Sequence, residues 1–341
     1  MKKFNENIVI SPSGQLYGSE NVLLDFLTTS SQTYLTYVPS NSIFEKKLAQ
    51  HNLRFDGFRS IKMLYLKIIY KLMLNKSNVI LNEAGHIKYL KIIARLFPNQ
   101  KFVVIVRLLE DCNSRINNLP TNITLVAVSH FIGDHIESNA RTYVIYDPYE
   151  LKEIHKETTT EINEQLVNIG IVGRLTKSKG LDAVTSILNK LPNDTLRRIK
   201  LNFYGSYNST DPWFEKFEDE LILIEDLQYE LKGFVGTQNE IYQNCNLILH
   251  LNKMEPLGRI IFEAVEYSKP FLCFKSGGTG ELAKVLNLDV FRSENEEELA
   301  KKLYEFICRN LSYAEELECA KKIIRTQFNC EHYVSEIEAL L

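Results

Sequence analysis

The feature of this sequence that most limits its possible folds is a repeated alternation of short apolar runs with stretches of helical periodicity. Such alternation predicts parallel sheets covered by helices on both faces, because consecutive parallel strands need a helix-length connection. In the first half, the predicted strands are Asn7–Ser11, Thr33–Val38, Asn78–Asn82, Lys101–Arg107, Ile123–Val128 and Thr142–Ile145. Helices are expected at roughly 19–29, 42–51, 59–75, 86–97 and 130–138.

The pattern fails between Asp147 and Gln165 and then restarts. The interruption is a run of charged and threonine residues, which is typical of a linker between domains. Later strands are predicted at 167–172, 200–204, near 231, 246–251 and 271–274, and later helices at 179–191, 211–226, 237–243, 258–268 and from 294 onward. We therefore expect a first domain at 1–150, a linker at 151–165, a second domain at 166–311, and C-terminal helices at 312–341 that could cross back to the first domain.

The composition of the 341 residues suits a folded protein with sizeable cores, since 45% are hydrophobic and 24% are charged. No apolar run reaches membrane-spanning length. The six cysteines show no Cys-x-x-Cys spacing and no clustering with histidine. This pattern argues against a disulfide framework or a zinc site and favours the cytoplasm.

Charge is distributed unevenly along the chain. Residues 1–155 carry 18 basic and 13 acidic residues, a net +5, whereas the remainder carries 22 and 30, a net −8. The predicted helix at 59–75 contributes to this positive charge, and it is expected to carry Lys67 and Lys71 on an outer stripe beside Met63 and Tyr70. Its sheet-facing residues are expected to be Ile61, Leu64, Ile68 and Leu72. The outer face could rest on anionic lipid, or it could be ordinary solvated surface.

Two carboxylates in the second half bracket a strand-to-helix turn. Glu255 lies in the loop after the apolar run 247–251, and Glu263 lies in the helix that opens at about Gly258. Backbone N–H groups at a helix N-terminus bind anions, and a nearby carboxylate can hold sugar hydroxyls. The turn therefore predicts a site for an anionic, sugar-containing ligand. The alternatives are a helix-face ion pair for Glu263 and a solvated loop position for Glu255.

A basic loop follows the strand predicted at 167–172. Gly173 and Arg174 are followed by Lys179 and Gly180 at the start of a helix. Two cations beside a glycine-bearing turn suit a diphosphate, because fixed charges and backbone N–H groups stabilise negative charge on a leaving phosphate. A solvated loop with basic residues is the alternative.

Five segments, in this order, resemble the signatures of the retaining, nucleotide-sugar-dependent family 4 glycosyltransferases of GT-B fold, also called glycosyl transferases group 1. The segments are Gly173-Arg174 with Lys179-Gly180, Leu201–Gly205, Glu255–Glu263 with seven residues between the glutamates, Lys269-Pro-Phe-Leu, and Gly277–Glu281. The resemblance covers the second half, and the first half is similar more loosely, through 16–20, 126–129 and 143–148. It implies an α/β architecture of two Rossmann-like parallel-sheet domains that face each other across a cleft.

The resemblance also implies roles for the motif residues. Arg174 and Lys179 would neutralise the donor diphosphate, and Glu255 would face the transferred sugar, which makes these three the implied catalytic residues. Glu263 would hold the ribose hydroxyls. The implied donor-binding residues are Gly173, Arg174, Lys179, Gly205, Leu257, Gly258, Arg259 and Glu263. No metal and no cofactor is implied, since the sequence has no Asp-x-Asp triplet and the nucleotide sugar is a substrate.

The acceptor side departs from the family pattern. The family often places a histidine at the ends of the middle strands of the first domain, whereas this chain has Asn82, Glu83 and Arg107 there, with His86 one turn later. The candidate acceptor-side residues are therefore Gly18, Asn82, Glu83, His86 and Arg107.

Together these features predict a metal-independent retaining hexosyltransferase. It would move a sugar from a nucleoside diphosphate, of uracil or guanine, to a glycan or lipid-linked acceptor in cell-surface polysaccharide or glycolipid synthesis. The expected partners are the donor, the acceptor and an anionic membrane surface, not nucleic acid, with a cytoplasmic location on the inner face of the membrane. Two alternatives stay open: a transferase with a soluble acceptor, and a catalytically silent nucleotide-binding GT-B partner subunit.

Overall fold

The computed structural model describes residues 6–152, 166–309 and 311–341. The chain divides into two compact units, one formed by Met1–Glu150 with Gln327–Leu341 and the other by Leu151–Thr326. The linker predicted at 151–165 lies outside the described residues except for its first two positions.

Within its described residues, the first unit contains a seven-stranded parallel sheet in the order β3-β2-β1-β4-β5-β6-β7. The strands are β1 (Asn7–Ile10), β2 (Tyr34–Pro39), β3 (Phe55–Phe58), β4 (Val79–Leu81), β5 (Phe102–Val106), β6 (Ile123–Ala127) and β7 (Arg141–Val144). The helices are α1 (Gly18–Thr29), α2 (Ile43–Gln50), α3 (Ile61–Leu74), α4 (Ile87–Leu96), α5 (His130–Asp134) and α14 (Cys330–Ala339). The direction of strand addition reverses between the neighbours β1 and β4. In sheets of this type, ligands bind outside the carboxyl ends of the strands at the reversal.

The part of the second unit that the structure describes contains a six-stranded parallel sheet in the order β10-β9-β8-β11-β12-β13. The strands are β8 (Val167–Val172), β9 (Ile199–Tyr204), β10 (Gln228–Gly233), β11 (Leu247–His250), β12 (Phe271–Phe274) and β13 (Arg292–Ser293). The helices are α6 (Asp182–Leu188), α7 (Asn193–Leu196), α8 (Pro212–Ile222), α9 (Gln238–Gln243), α10 (Ile260–Glu266), α11 (Gly277–Val285), α12 (Glu296–Arg309) and α13 (Ala314–Gln327). Here the reversal lies between β8 and β11. The basic loop and the Glu255 loop therefore leave the sheet at adjacent positions.

Four short elements, β3, α7, α11 and β13, were not predicted from periodicity, and the reason is clear for β3 and α11. β3 is a short edge strand that contains Asp56 and Gly57, so it lacks the continuous apolar run of the central strands. α11 opens with glycines, which are poor helix formers. Its first turn nevertheless packs closely on the Glu255 loop, and the N–H of Gly278 donates to the carbonyl oxygen of Glu255 at 2.7 Å.

The face of α3 differs from its prediction. Leu64, Ile68 and Leu72 are buried as expected, but Ile61 is exposed. Lys67 forms an ion pair with Asp56, and Lys71 forms one with the buried carboxylate of Glu6, each at 2.7 Å. The two lysines predicted on an outer stripe are therefore half-buried, and both ammonium groups are neutralised within the first unit.

The exposed stripe of α3 is apolar instead. It consists of Met63, Leu66, Tyr70 and Met73, of which Leu66 is 66% and Met73 is 72% exposed. We call these four residues the α3 stripe. Among the described residues, no helix has the length and apolar character needed to cross a bilayer.

Candidate functional site

The candidate site of the second unit is built at the carboxyl ends of β8 and β11. These strands pair in parallel, with Leu247 opposite Ile169 and Ile248 opposite Gly170. A single turn of 3-10 helix after β8, Lys177–Lys179, carries the predicted phosphate-binding lysine. The loop after β11 carries Glu255. Residues 76 positions apart in the sequence are thereby brought together.

An ion pair joins the two loops. Nζ of Lys179 lies 2.8 Å from Oε2 of Glu255, and the side chains are 28% and 18% exposed. Asn252 donates from Nδ2 to the same carboxylate oxygen at 2.6 Å. Burial favours a raised pKa for Glu255, but the charge of Lys179 and these hydrogen bonds outweigh it and lower the pKa. The carboxylate is therefore ionised and held in place.

A buried histidine lies beside this pair. His250, the last residue of β11, is 9% exposed, and its Nε2 lies 4.0 Å from Oε2 of Glu255. Among the described residues, Nε2 has no hydrogen-bond partner. Burial lowers the pKa of His250 to about 4, with the charge of Lys179 acting in the same direction and that of Glu255 against it. The imidazole is therefore neutral at physiological pH.

The turn between the two glutamates depends on Gly258. Its φ of +80° is unfavourable for residues with a side chain, and a Cβ there would lie 2.4 Å from Oγ1 of Thr279 in α11. The turn delays the start of α10 to Ile260, two residues after the predicted helix start. Leu257 is buried, and Arg259 precedes the helix.

Glu263 lies in the first turn of α10, where it accepts a hydrogen bond from the hydroxyl of Tyr242 at 2.7 Å. Burial raises the pKa of Glu263, and the Tyr242 hydroxyl and the charge of Arg259 oppose the rise. Tyr242 also stacks on Tyr267, with ring centroids 5.0 Å apart. Tyr242 therefore fixes the orientation of the carboxylate predicted to hold ribose.

Gly205 follows β9, the strand that pairs with β8, and it packs against the start of the basic loop. Its φ is +150°, and a Cβ there would lie 1.9 Å from the carbonyl oxygen of Gly173. Only glycine allows this approach of the β8 and β9 ends. The adjacent Arg174 is exposed. Gly205 thus shapes the loop that carries the two predicted phosphate-binding cations.

The predicted acceptor-side residues of the first unit fall into two groups. Asn82 and Arg107 are buried. Arg107 donates from one nitrogen, Nη1, to both carboxylate oxygens of Asp147, and Asn82 donates to the backbone oxygen of Ser19 at 3.3 Å. His86 is half-buried near the rings of Tyr65 and Tyr89, and burial lowers its pKa. Buried residues of the first group are better suited to holding strand ends than to contacting a ligand.

Glu83 is the half-buried carboxylate of this set. It follows β4 and lies beside the start of α1, where Gly18 is the first residue. The hydroxyl of Ser19 lies 2.9 Å from Oε1 of Glu83 and 3.0 Å from Oε2 of the buried Glu20. Burial raises the pKa of Glu83, and Glu20 adds to the rise while Ser19 opposes it.

The part of the chain described by the structure contains no group of three or more His, Cys, Asp or Glu side chains arranged to hold a metal ion. Arg174 and Lys179 of the basic loop carry positive charge that could meet an anionic ligand.

Comparison with known families identifies the second unit. The family described as Glycosyl transferases group 1 matches residues 153–322, which include the basic loop, both glutamates and α11. The chain belongs to the group 1 glycosyltransferase family.

Two curated relatives of the chain extend the comparison. The chain is 26% identical over 137 residues to glycogen synthase of Streptococcus uberis, covering 40% of this chain and 28% of the relative. It is 27% identical over 168 residues to an uncharacterised 42.6 kDa protein in the cps region of Klebsiella pneumoniae, covering 47% and 40%. The chain thus spans less than half the length of these curated relatives.

The whole fold matches a solved structure. Anabaena HepE in complex with UDP-glucose shares 18% identity and a TM-score of 0.74, covering 98% of this chain and 100% of that chain. The predicted family and the GT-B class of two parallel α/β sheets are therefore confirmed. The roles of individual residues stay predictions.

Sequence reasoning missed His250, Asn252 and Tyr242. His250 and Asn252 carried a weak signal, since they are polar residues at the end of a run that otherwise reads as a buried strand. Tyr242 carried none, because only the packing of α9 places its hydroxyl on Glu263.

Proposed function

We propose that the protein is a retaining glycosyltransferase that uses a uridine diphosphate sugar as donor. The observation that carries this proposal is the Lys179–Glu255 pair at the sheet reversal of a group 1 glycosyltransferase unit. Uracil is favoured over guanine because HepE, which shares the fold, was solved with UDP-glucose.

Each donor-site residue has a distinct task in the proposed reaction. Lys179 and Arg174 neutralise the diphosphate, so that charge on the departing β-phosphate is stabilised as the glycosidic bond breaks. Glu255 accepts hydrogen bonds from hydroxyls of the transferred sugar, and Glu263 accepts them from the ribose. With retention, the acceptor oxygen attacks the face from which the phosphate leaves, and the phosphate oxygen takes the acceptor proton.

For the acceptor side we propose Glu83. It combines partial exposure with a position at the reversal of the first sheet, where the carboxyl ends of β1 and β4 meet. A carboxylate there can accept a hydrogen bond from an acceptor hydroxyl and orient it. The proposed acceptor is a glycan or a lipid-linked sugar, in keeping with the cps-region relative.

The α3 stripe supports a lipid-linked acceptor. Four exposed apolar side chains line one face of α3, and the segment from Arg59 to Lys76 contains no acidic residue. Arg59, Lys62 and Lys76 are exposed cations. Apolar side chains flanked by cations fit the surface of an anionic bilayer.

Donor turnover tests the proposed activity. Purified protein is incubated with UDP-sugars and a panel of glycan and lipid-linked acceptors, and released UDP is measured. We expect turnover that Glu255→Gln and Lys179→Met each reduce by at least about tenfold, which corresponds to one charge-assisted hydrogen bond. The affinities for UDP and GDP, measured by calorimetry, show whether the donor site prefers uracil or guanine. UDP binding without turnover on any acceptor would instead favour the silent partner subunit.

Vesicle binding tests the membrane surface. Leu66→Glu with Met73→Glu should abolish sedimentation with vesicles of anionic lipid, because carboxylates cannot enter that interface. Ile222→Glu, on an exposed apolar residue of α8, is the matched control and should sediment like the unaltered protein. Equal sedimentation of all three proteins would reject the α3 stripe as the docking face.

A further inference from the structure

His250 poses a physical problem that the donor-site roles do not solve. Its imidazole is nine-tenths buried, yet the buried Nε2 has no hydrogen-bond partner among the described residues. A buried polar atom without a partner destabilises the fold, so proteins rarely keep one without a reason. A carboxylate oxygen, Oε2 of Glu255, lies 4.0 Å from Nε2.

Lys179 cannot pair fully with Glu255 and with a donor diphosphate at the same time. Oε2 of Glu255 accepts hydrogen bonds from Lys179 and Asn252 in this structure. Lys179 is also the cation proposed to neutralise the donor diphosphate. When its ammonium group turns to phosphate, Glu255 keeps one amide donor and loses its compensating charge. A largely buried carboxylate in that condition is strongly disfavoured.

We propose that His250 is a positioning residue that replaces Lys179 as the partner of Glu255 when Lys179 engages the donor diphosphate. The proposal rests on the donor site proposed above. A rotation of the ring that closes the 4.0 Å separation to about 2.8 Å would bring Nε2–H into hydrogen bonding with Oε2. Glu255 would then stay ionised and oriented toward the transferred sugar while Lys179 is occupied.

The surroundings allow this exchange. The charged groups that act on His250 are Lys179 and Glu255, from the two loops of the site. On the neighbouring strand β12, Cys273 lies opposite His250 in register, and burial raises the pKa of its thiol to about 12, so it stays neutral. When the charge of Lys179 moves away, one of the two influences that lower the pKa of His250 is lost, and the attraction of the Glu255 carboxylate is opposed by burial alone.

The test follows the ring of His250 by NMR in protein labelled at histidine, with His250→Gln used to assign its signal. The apo protein should show a pKa well below 6.5 for His250. Lys179→Met should raise it by at least about one pH unit, because a like charge nearby has been removed. Saturating UDP should raise it in the unaltered protein as well. His332, an exposed histidine 3.5 Å from Glu336, is the matched control and should not change.

The outcomes separate this proposal from the donor-site proposal. An unchanged pKa of His250 in a folded Lys179→Met variant overturns the partner exchange, whether or not UDP binds. If that variant does not fold, the pKa of His250 is measured in Lys179→Gln and in the unaltered protein saturated with UDP, and an unchanged pKa in both overturns the partner exchange. If calorimetry detects no UDP binding, the donor site fails and Lys179→Met alone decides whether His250 responds to the loss of Lys179.

A kinetic comparison adds a second readout. His250→Leu should lower kcat by about tenfold or more with little change in donor KM, since Glu255 loses orientation after the diphosphate is bound. His250→Gln, which retains an N–H donor, should recover most of the loss. Equal defects in the two variants would show that His250 only fills space.

Discussion

The Lys179–Glu255 pair allows a test in which stability and pH dependence must change together. Lys179→Met keeps most of the stem and removes the charge. Losing one member of a fully buried pair costs about 3–5 kcal/mol, whereas exposed pairs contribute about 0–1 kcal/mol. Because the two side chains are 28% and 18% exposed, we expect an intermediate loss of about 1–2 kcal/mol at neutral pH.

The pH dependence has a definite sign. In the unaltered protein the pKa of Glu255 lies below its usual value of 4.5, so its stabilising contribution is present above that value and is lost as pH falls through the folded pKa. Without Lys179, burial favours a raised pKa, and the ionised carboxylate destabilises the fold at neutral pH. The stability difference between the two proteins should therefore shrink as the pH falls toward about 4.5.

The single tryptophan makes the second unit easy to follow. Trp213 stacks on Phe217 and donates from its indole N–H to Asp182 at 2.8 Å, so its fluorescence reports unfolding of this unit in urea. Lys275→Met is the matched control, because the Lys275–Glu294 pair has the same 2.8 Å distance but lies at the surface. It should change the urea midpoint much less. Equal effects of the two substitutions, or a difference that does not depend on pH, would refute the reasoning.

Three further perturbations address other parts of the site. Glu83→Gln should lower turnover by about tenfold or more and remove an acid limb from the pH–rate profile. The reason is that the pKa of Glu83 is raised, so its active carboxylate is lost as pH falls. An unchanged pH–rate profile would exclude Glu83 from the acceptor site. Tyr242→Phe should weaken UDP binding by about tenfold in calorimetry, because Glu263 loses the donor that orients it; unchanged affinity would contradict the ribose role. Gly205→Ala should lower the free energy of unfolding by about 2 kcal/mol or more, whereas Gly236→Ala, which has open space around it, should change it little.

Much of the fold was predictable because the central strands are continuous apolar runs. β5, for example, is Phe-Val-Val-Ile-Val with every residue buried, and only a strand covered on both faces places such a run out of water. β3 and α11 were missed for the opposite reason. Their residues have weak local preferences, and pairing with β2 and packing on the Glu255 loop decide their conformations.

The order and spacing of the motifs, by themselves, determined the family, the strand-to-helix turns that carry Lys179 and Glu255, and the class of ligand they suit. Only the tertiary structure decided the partners of the charged groups. It joined Lys179 to Glu255, neutralised Lys67 and Lys71, and placed His250 within 4.0 Å of the Glu255 carboxylate. Periodicity reports which face of an element is buried, but electrostatic partners depend on distances between loops that are remote in sequence.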